Sequence, residues 1–315
     1  MLQLYKSRDF ALFFKDTFAF IKMHGKHFFK NYLLVNGLFL LVLIVMSFIL
    51  YMEVAELQAL GLLDERNQRE FIRYLGDNSN IYVPYGILYI LISAFVGILN
   101  YAYIPLYFKL YEKHKGANFT NKEISKELFA NFGRLIKFLL VTILISIPLM
   151  IAAAIVMGIM AITFIGIPFI VFVVGLISLF YHSALMEYMK YDDKSVFDCY
   201  GYSLQLCFQQ FFPSIGAVGI FILMIIIFQY VYSFLQGIVL YFLGVPFIEN
   251  PMFLSDLDKT SLVFIIAFAL QTGMYLFNFL TSATLQIHQA VVYYSLKEDR
   301  ENIHTQDTID DIGRN

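Results

Sequence analysis

Three ionisable side chains lie in or beside the apolar stretches of this chain and could do chemistry at membrane depth: His182, Glu187 and His288. An imidazole or carboxylate is costly in hydrocarbon, so such groups often carry protons, ligands or partners. His182 stands near the end of Phe138–Met186, a run without Asp, Glu, Lys or Arg, and Glu187 is the first charge after it. Both histidines fall in the last turns before an expected aqueous boundary, where a ring is easily tolerated. His24 and His27, at i and i+3, could join a metal ion, but beside Lys22, Lys26 and Lys30 they also suit a basic, lipid-facing surface. Cys199 and Cys207 have neither metal-ligand nor redox spacing and read as free reduced thiols. The chain contains no phosphate-binding loop, zinc-protease helix or nucleophile elbow. No metal, cofactor or catalytic residue is therefore expected, and the chain reads as non-enzymatic.

Uncharged polar side chains are more numerous and fall at helical spacing. Tyr82, Tyr85, Tyr89, Ser93, Asn100, Tyr103, Tyr107 and Tyr111 share one face of one segment. Gln229, Ser233 and Gln236 line another, and Gln271, Tyr275, Asn278, Ser282, Gln286 and Gln289 a third. Such a seam could border a hydrated cavity or a path for polar headgroups. It could equally join helices through hydrogen bonds of about 0.6–2 kcal/mol each.

The elements that must position these residues are membrane helices. Apolar residues make up 59% of the 315-residue chain and charged residues 15%, outside the range of soluble domains. The net charge of −2 shows no basic field suited to nucleic acid. A helix needs about 20 apolar residues to cross a bilayer, so Phe138–Met186 can cross twice, turning near Gly158–Gly166. The spacing predicts an all-α polytopic bundle of six transmembrane helices, at about 31–52, 82–109, 135–158, 164–189, 213–243 and 260–296. Three amphipathic surface helices precede pairs of spans: one within residues 1–30, one after the capping-box pattern Thr120-x-x-Glu123, and one over Phe197–Phe211. This suggests a threefold unit of surface helix and transmembrane hairpin, with Gly166–Ile170 and Gly244–Ile248 echoing each other. Residues 53–80 read as a short helical external loop, and 297–315 as an acidic disordered cytoplasmic tail. Lys and Arg concentrate before the first span and in the 109–137 connection, which predicts cytoplasmic N and C termini.

The segment Phe14-Lys15-Asp16-Thr17-Phe18-Ala19-Phe20-Ile21-Lys22, the pairs Ile147-Pro148 and Ile167-Pro168, and Met186-Glu187 followed by Ser203-Leu204 resemble a group of bacterial multi-pass proteins. That group includes the YciC-like proteins and the membrane domain attached to some glycerophosphodiester phosphodiesterases. The resemblance implies a six-helix domain in the bacterial inner membrane. No soluble phosphodiesterase domain is present, so that activity is not expected here. The leading expectation is an inner-membrane protein that binds membrane lipids or other membrane proteins. The alternatives are a flippase-like conduit for an uncharged or amphipathic molecule and a membrane-embedded lipid-modifying enzyme.

Overall fold

The computed structural model describes residues 2–163, 166, 169–244 and 261–304. Among them the chain forms nine α-helices, one short 3-10 turn at Glu65–Asn67 and no strand. The helices are α1 (Phe10–Ala59), α2 (Gln68–Asp77), α3 (Ser79–Lys113), α4 (Asn121–Ala130), α5 (Phe132–Ile162), α6 (Ile170–Lys190), α7 (Val196–Gln209), α8 (Phe211–Phe242) and α9 (Leu262–Glu301). Six of them, α1, α3, α5, α6, α8 and α9, are long and apolar enough to cross a membrane, which makes this a multi-pass membrane protein.

The boundaries differ from expectation at both ends of the chain. The basic segment expected to lie separately before the first span is continuous with it as the 50-residue α1. Its Phe13, Phe20 and Phe28 are fully buried in protein, while Lys15, Lys22, Lys26 and Lys30 stay exposed. No proline separates Phe10 from Ala59, and Gly25 and Gly37 each cost a helix only about 1 kcal/mol. The start of the expected acidic tail is also helical: α9 continues to Glu301, and Lys297 is fully buried. Residues 305–315 of that tail, the loop 245–260 and most of the Gly166–Ile170 and Gly244–Ile248 echo lie outside the described residues.

The short helices begin where side chains can replace missing intrahelical partners. At α4, Thr120 donates to Glu123 through its backbone N–H at 2.8 Å and its hydroxyl at 3.0 Å, as the capping-box pattern predicts. At α7, Ser195 and Asp198 cap reciprocally: the Asp198 N–H donates to Ser195 Oγ at 3.1 Å and the Ser195 N–H to Asp198 Oδ2 at 3.2 Å. The Ser195 hydroxyl, donating to Asp198 Oδ2 at 2.6 Å, and then its N–H hold the Asp198 carboxyl below the usual carboxylate range.

The chain divides into two compact units. The first comprises Met1–Val35, Ile98–Ile226 and Thr281–Asn315, and the second Asn36–Gly97 and Ile227–Leu280. In the first, α6 and α8 meet backbone to backbone, because a Cβ on Gly175 would lie 2.9 Å from Gly219 N. One on Gly219 would lie 3.2 Å from Val171 O. Small residues permit this approach where the apolar surroundings give helices little reason to associate. In the second unit Tyr232 of α8 donates to Leu270 O of α9 at 2.8 Å.

Candidate functional site

Glu187 ends up at the centre of the first unit. It occupies the last turn of α6, and its side chain is fully buried. One carboxylate oxygen accepts from Lys297 Nζ of α9 at 2.7 Å and from the Tyr293 hydroxyl. The other accepts from Lys194, in the turn before α7. Lys297 is itself fully buried, lies 3.5 Å from Glu301 and sits over the rings of Tyr191 and Tyr202 at 4.6 and 4.9 Å. A buried ammonium is tolerable only with such company: carboxylates for its charge and ring faces for its remaining surface.

A second charge cluster adjoins through Lys190, which bonds Glu112 of α3 at 2.8 and 3.1 Å. Tyr5 donates to the same carboxylate at 3.1 Å. Burial, then the neighbouring Tyr294 and Glu112, push the Tyr5 phenol well above its ordinary pKa, so it remains a donor. Residues 2–8 thus form a strap over the helix ends. The Leu2 N–H donates to Tyr111 Oη at 3.0 Å and the Arg8 N–H to Ser295 Oγ at 2.9 Å. The Arg8 guanidinium bonds Asp16 at 2.8 Å and the carbonyls of Gln3, Leu4 and Lys6 at 2.6, 2.8 and 2.9 Å.

The two candidate histidines are buried and apart from this hub's hydrogen bonds. His288 Nδ1 lies 2.9 Å from Thr17 Oγ1, and its ring stacks on Phe221 at 4.4 Å. His182 is 1% exposed, and neither ring nitrogen meets a hydrogen-bond partner among the described residues. The boundary position expected for these rings does not leave them at an aqueous surface, because both are buried in protein, His288 against Thr17 of α1 and Phe221 of α8. Among the described residues, no three His, Cys, Asp or Glu side chains converge to hold a metal ion.

The polar seam is occupied largely by protein. In the first unit, Tyr32 of α1 donates to Asn100 of α3 at 2.6 Å, and Gln286 of α9 reaches Asn100 and Ser282 at 3.4 Å each. Tyr103 donates to Phe28 O at 2.9 Å, Tyr107 meets His27 Nδ1 at 2.9 Å and Tyr111 meets His24 Nε2 at 3.1 Å. His24 and His27 therefore face α3 instead of lipid. In the second unit, Tyr82 donates to Glu53 at 3.1 Å, Tyr85 to Met46 O, and Tyr89 pairs with Ser47 at 3.3 Å. In the first unit the partners on α1 fall in number as those on α3 rise, so the two helices run antiparallel there. Gln229 and Asn278 bond directly at 2.8 Å. Gln271 is exposed and borders a cavity with Tyr89, whereas Ser93, Ser233 and Gln236 stand outside these groups.

Residue-by-residue reading missed Lys297, Lys194 and Glu112 as members of the buried network. Their signal was weak, since each lies among charged neighbours that ordinarily mark a solvated segment. The Ser195-x-x-Asp198 cap was findable by the same pattern as Thr120-x-x-Glu123. Burial pushes the Cys199 and Cys207 thiols up to about 12, which suits thiols held inert in packing.

The helix α7 presents two apolar faces. Val196, Cys199, Tyr200, Leu206 and Cys207 are buried, with α6 the main neighbour of this helix. Phe197, Leu204 and Phe208 on the other side are 60%, 48% and 59% exposed, and Phe212 at the start of α8 is 84% exposed. Compared with protein-family models, curated proteins and solved structures, the chain matches none.

Proposed function

We propose that this protein is a non-enzymatic component of the bacterial inner membrane that engages leaflet lipid through its interfacial helices, with both termini on the cytoplasmic side. The observation that carries this reading is the exposed row Phe197, Leu204, Phe208 and Phe212 on α7 and the start of α8. A helix with an uncovered aromatic face, leading directly into a membrane-crossing helix, is suited to lie at the headgroup boundary with that face among acyl chains. Exposed Lys15, Lys22, Lys26 and Lys30 on α1, with Lys122 and Lys126 on α4, offer cations to anionic headgroups. The polar seam contributes helix-to-helix hydrogen bonds, and the buried charges of Glu187 and Lys297 neutralise each other. Both features favour an organising role over a conduit.

Spin labels placed singly along α7 in lipid nanodiscs test the reading. Labels at 197, 204, 208 and 212 are expected to be relaxed by oxygen, and labels at 198, 205 and 209 by a water-soluble nickel complex. Nickel relaxation at all seven positions would sink the proposal. Labels at the four apolar positions shielded from both agents would replace lipid with a protein partner and favour a scaffold subunit.

A further inference from the structure

Within the second unit, the link between the first two membrane-crossing helices holds an amphipathic helix whose apolar side is left largely uncovered. In α2, Tyr74, Phe71, Leu75 and Ile72 follow one another around about 160° of the circumference at 3.6 residues per turn, with Gln68 of the first turn among them. Arg69, Glu70, Arg73 and Asp77 occupy the other side, where Arg73 pairs with Asp77 at 3.9 Å. None of the ten residues is buried, and Ile72 is 63% exposed. A half-apolar helix without a protein cover needs an apolar medium on that half.

The connections fix where that medium must be. Asn78 alone separates α2 from α3, its backbone leaves the helical range at φ −107° and ψ 18°, and its side-chain amide donates to Tyr74 O at 2.9 Å. Residues eight apart on a straight helix lie about 12 Å apart along its axis. The rings of Tyr74 and Tyr82 are only 6.2 Å apart and their hydroxyls 3.4 Å, so the chain bends at Asn78. Tyr82 also donates to Glu53 of α1 at 3.1 Å, which ties the Tyr74 edge of α2 to the ends of both helices that it joins. No Asp, Glu, Lys or Arg occurs between Asp77 and Lys109, so the apolar run of α3 begins directly after the bend. Leu60 before α2 and Ile81 after it are exposed at 57% and 62%, and the exposed positions Val83, Ile87 and Leu88 continue the apolar series along α3. The helix therefore stands at the level where hydrocarbon gives way to headgroups.

We infer that α2 lies along the membrane surface with Phe71, Ile72 and Leu75 among the upper acyl chains of the leaflet that the α1–α3 connection meets, and with Arg69 and Arg73 toward water. Two arginines and two acids leave the helix without net charge, so apolar burial carries this contact and anionic lipid is not required. By chain order α2 follows the first crossing, whereas α4 and α7 follow the second and the fourth, which assigns α2 to the opposite leaflet. The inference uses no residue of α7, and its failure would leave the reading of that helix untouched.

The chain contains no tryptophan, so a single introduced indole reports alone. The test uses Ile72→Trp, Leu75→Trp and Arg73→Trp in nanodiscs of phosphatidylcholine, with and without bromine near the top of the acyl chains. Brominated lipid should quench Ile72→Trp and Leu75→Trp at least about twofold more than Arg73→Trp, as expected of a face sunk into the headgroup and acyl boundary. Aqueous iodide should quench them in the reverse order. Equal iodide quenching of Ile72→Trp and Arg73→Trp would overturn the inference. An indole at position 72 shielded from both quenchers would overturn it too, in favour of a protein cover. A measurement on the unaltered chain decides the matter even where a variant does not fold: phosphatidylcholine carrying a diazirine near the top of one acyl chain should label residues 68–77. Label on the exposed α5 side chains Leu140 and Leu144 with none on 68–77 would sink the inference.

Discussion

Around Glu187 and Arg8 in the first unit charged and aromatic side chains close on one another, whereas in the second unit two buried hydroxyls without a partner among the described residues line a cavity. Glu187 alone draws Lys194, Tyr293 and Lys297 from two other segments, and Arg8 gathers three carbonyls and a carboxylate. In the second unit Tyr51 and Thr272 have hydroxyls of the same kind but no partner within the described protein. The same chemistry thus serves two ends. Polar groups that meet protein hold helices together, and polar groups that meet a cavity are available to a ligand. The contrast also separates variants that should damage the fold from those that should leave it intact.

The largest effect is expected at Glu187. Glu187→Gln leaves the buried ammonium of Lys297 with Glu301, at 3.5 Å, as its carboxylate, and breaking a buried pair costs up to about 3–5 kcal/mol. Thermal unfolding in mild detergent should show this loss. The thiols of Cys199 and Cys207, unreactive to maleimide in the native protein, should become labelled at lower temperature than in the wild type. Full retention of stability would mean that the network is dispensable to the first unit.

Next comes the contact of α6 with α8. Gly219→Leu drives a side chain into the backbone at Val171, and overpacking of this kind costs about 1–3 kcal/mol. The same unfolding measurement checks it, and Gly97→Leu, where a Cβ meets nothing within 4 Å, serves as the control in the second unit.

The cap of α7 is smaller. Ser195→Ala should cost about 1 kcal/mol. Because the folded Asp198 carboxyl lies below its ordinary range, its contribution is present above that range and fades as pH falls through the lowered folded value. Wild type and Asp198→Asn should therefore differ at neutral pH and converge on acidification, as followed by unfolding across a pH series.

The smallest effects sharpen the comparison most. Tyr107→Phe removes the contact with His27 and should cost about 0.6 kcal/mol, the average for interhelical hydrogen bonds in membranes. Tyr51→Phe and Thr272→Val remove hydroxyls without protein partners and should leave unfolding unchanged in lipid-free detergent. A loss as large as that of Tyr107→Phe would show that the cavity hydroxyls hold the fold together too.

Much of this architecture is legible in the sequence because its causes are local. The length and apolarity of six segments follow from bilayer thickness, and the start of α4 follows from Thr120 and Glu123, three residues apart. The polar face of α3 follows from its spacing, since a helix brings residues three or four apart onto one side. Whether that face met water or another helix was not legible, because its partners on α1 lie up to 87 positions away.

Tertiary structure decided where the charges go. Lys297 stands among Glu298, Asp299, Arg300 and Glu301, a composition that locally signals a solvated tail. Its burial depends on Glu187, 110 positions earlier, reaching the same place on a different helix. His24 and His27 likewise follow a lysine-rich pattern but turn to tyrosines of α3, and the Tyr51 and Thr272 hydroxyls become exceptional only once α1 and α9 enclose a cavity. Periodicity and hydrophobic length act over a few residues and suffice to specify helices and their faces. Pairing a buried charge or leaving a buried hydroxyl unpaired depends on what a distant segment brings, so only the folded arrangement determines it.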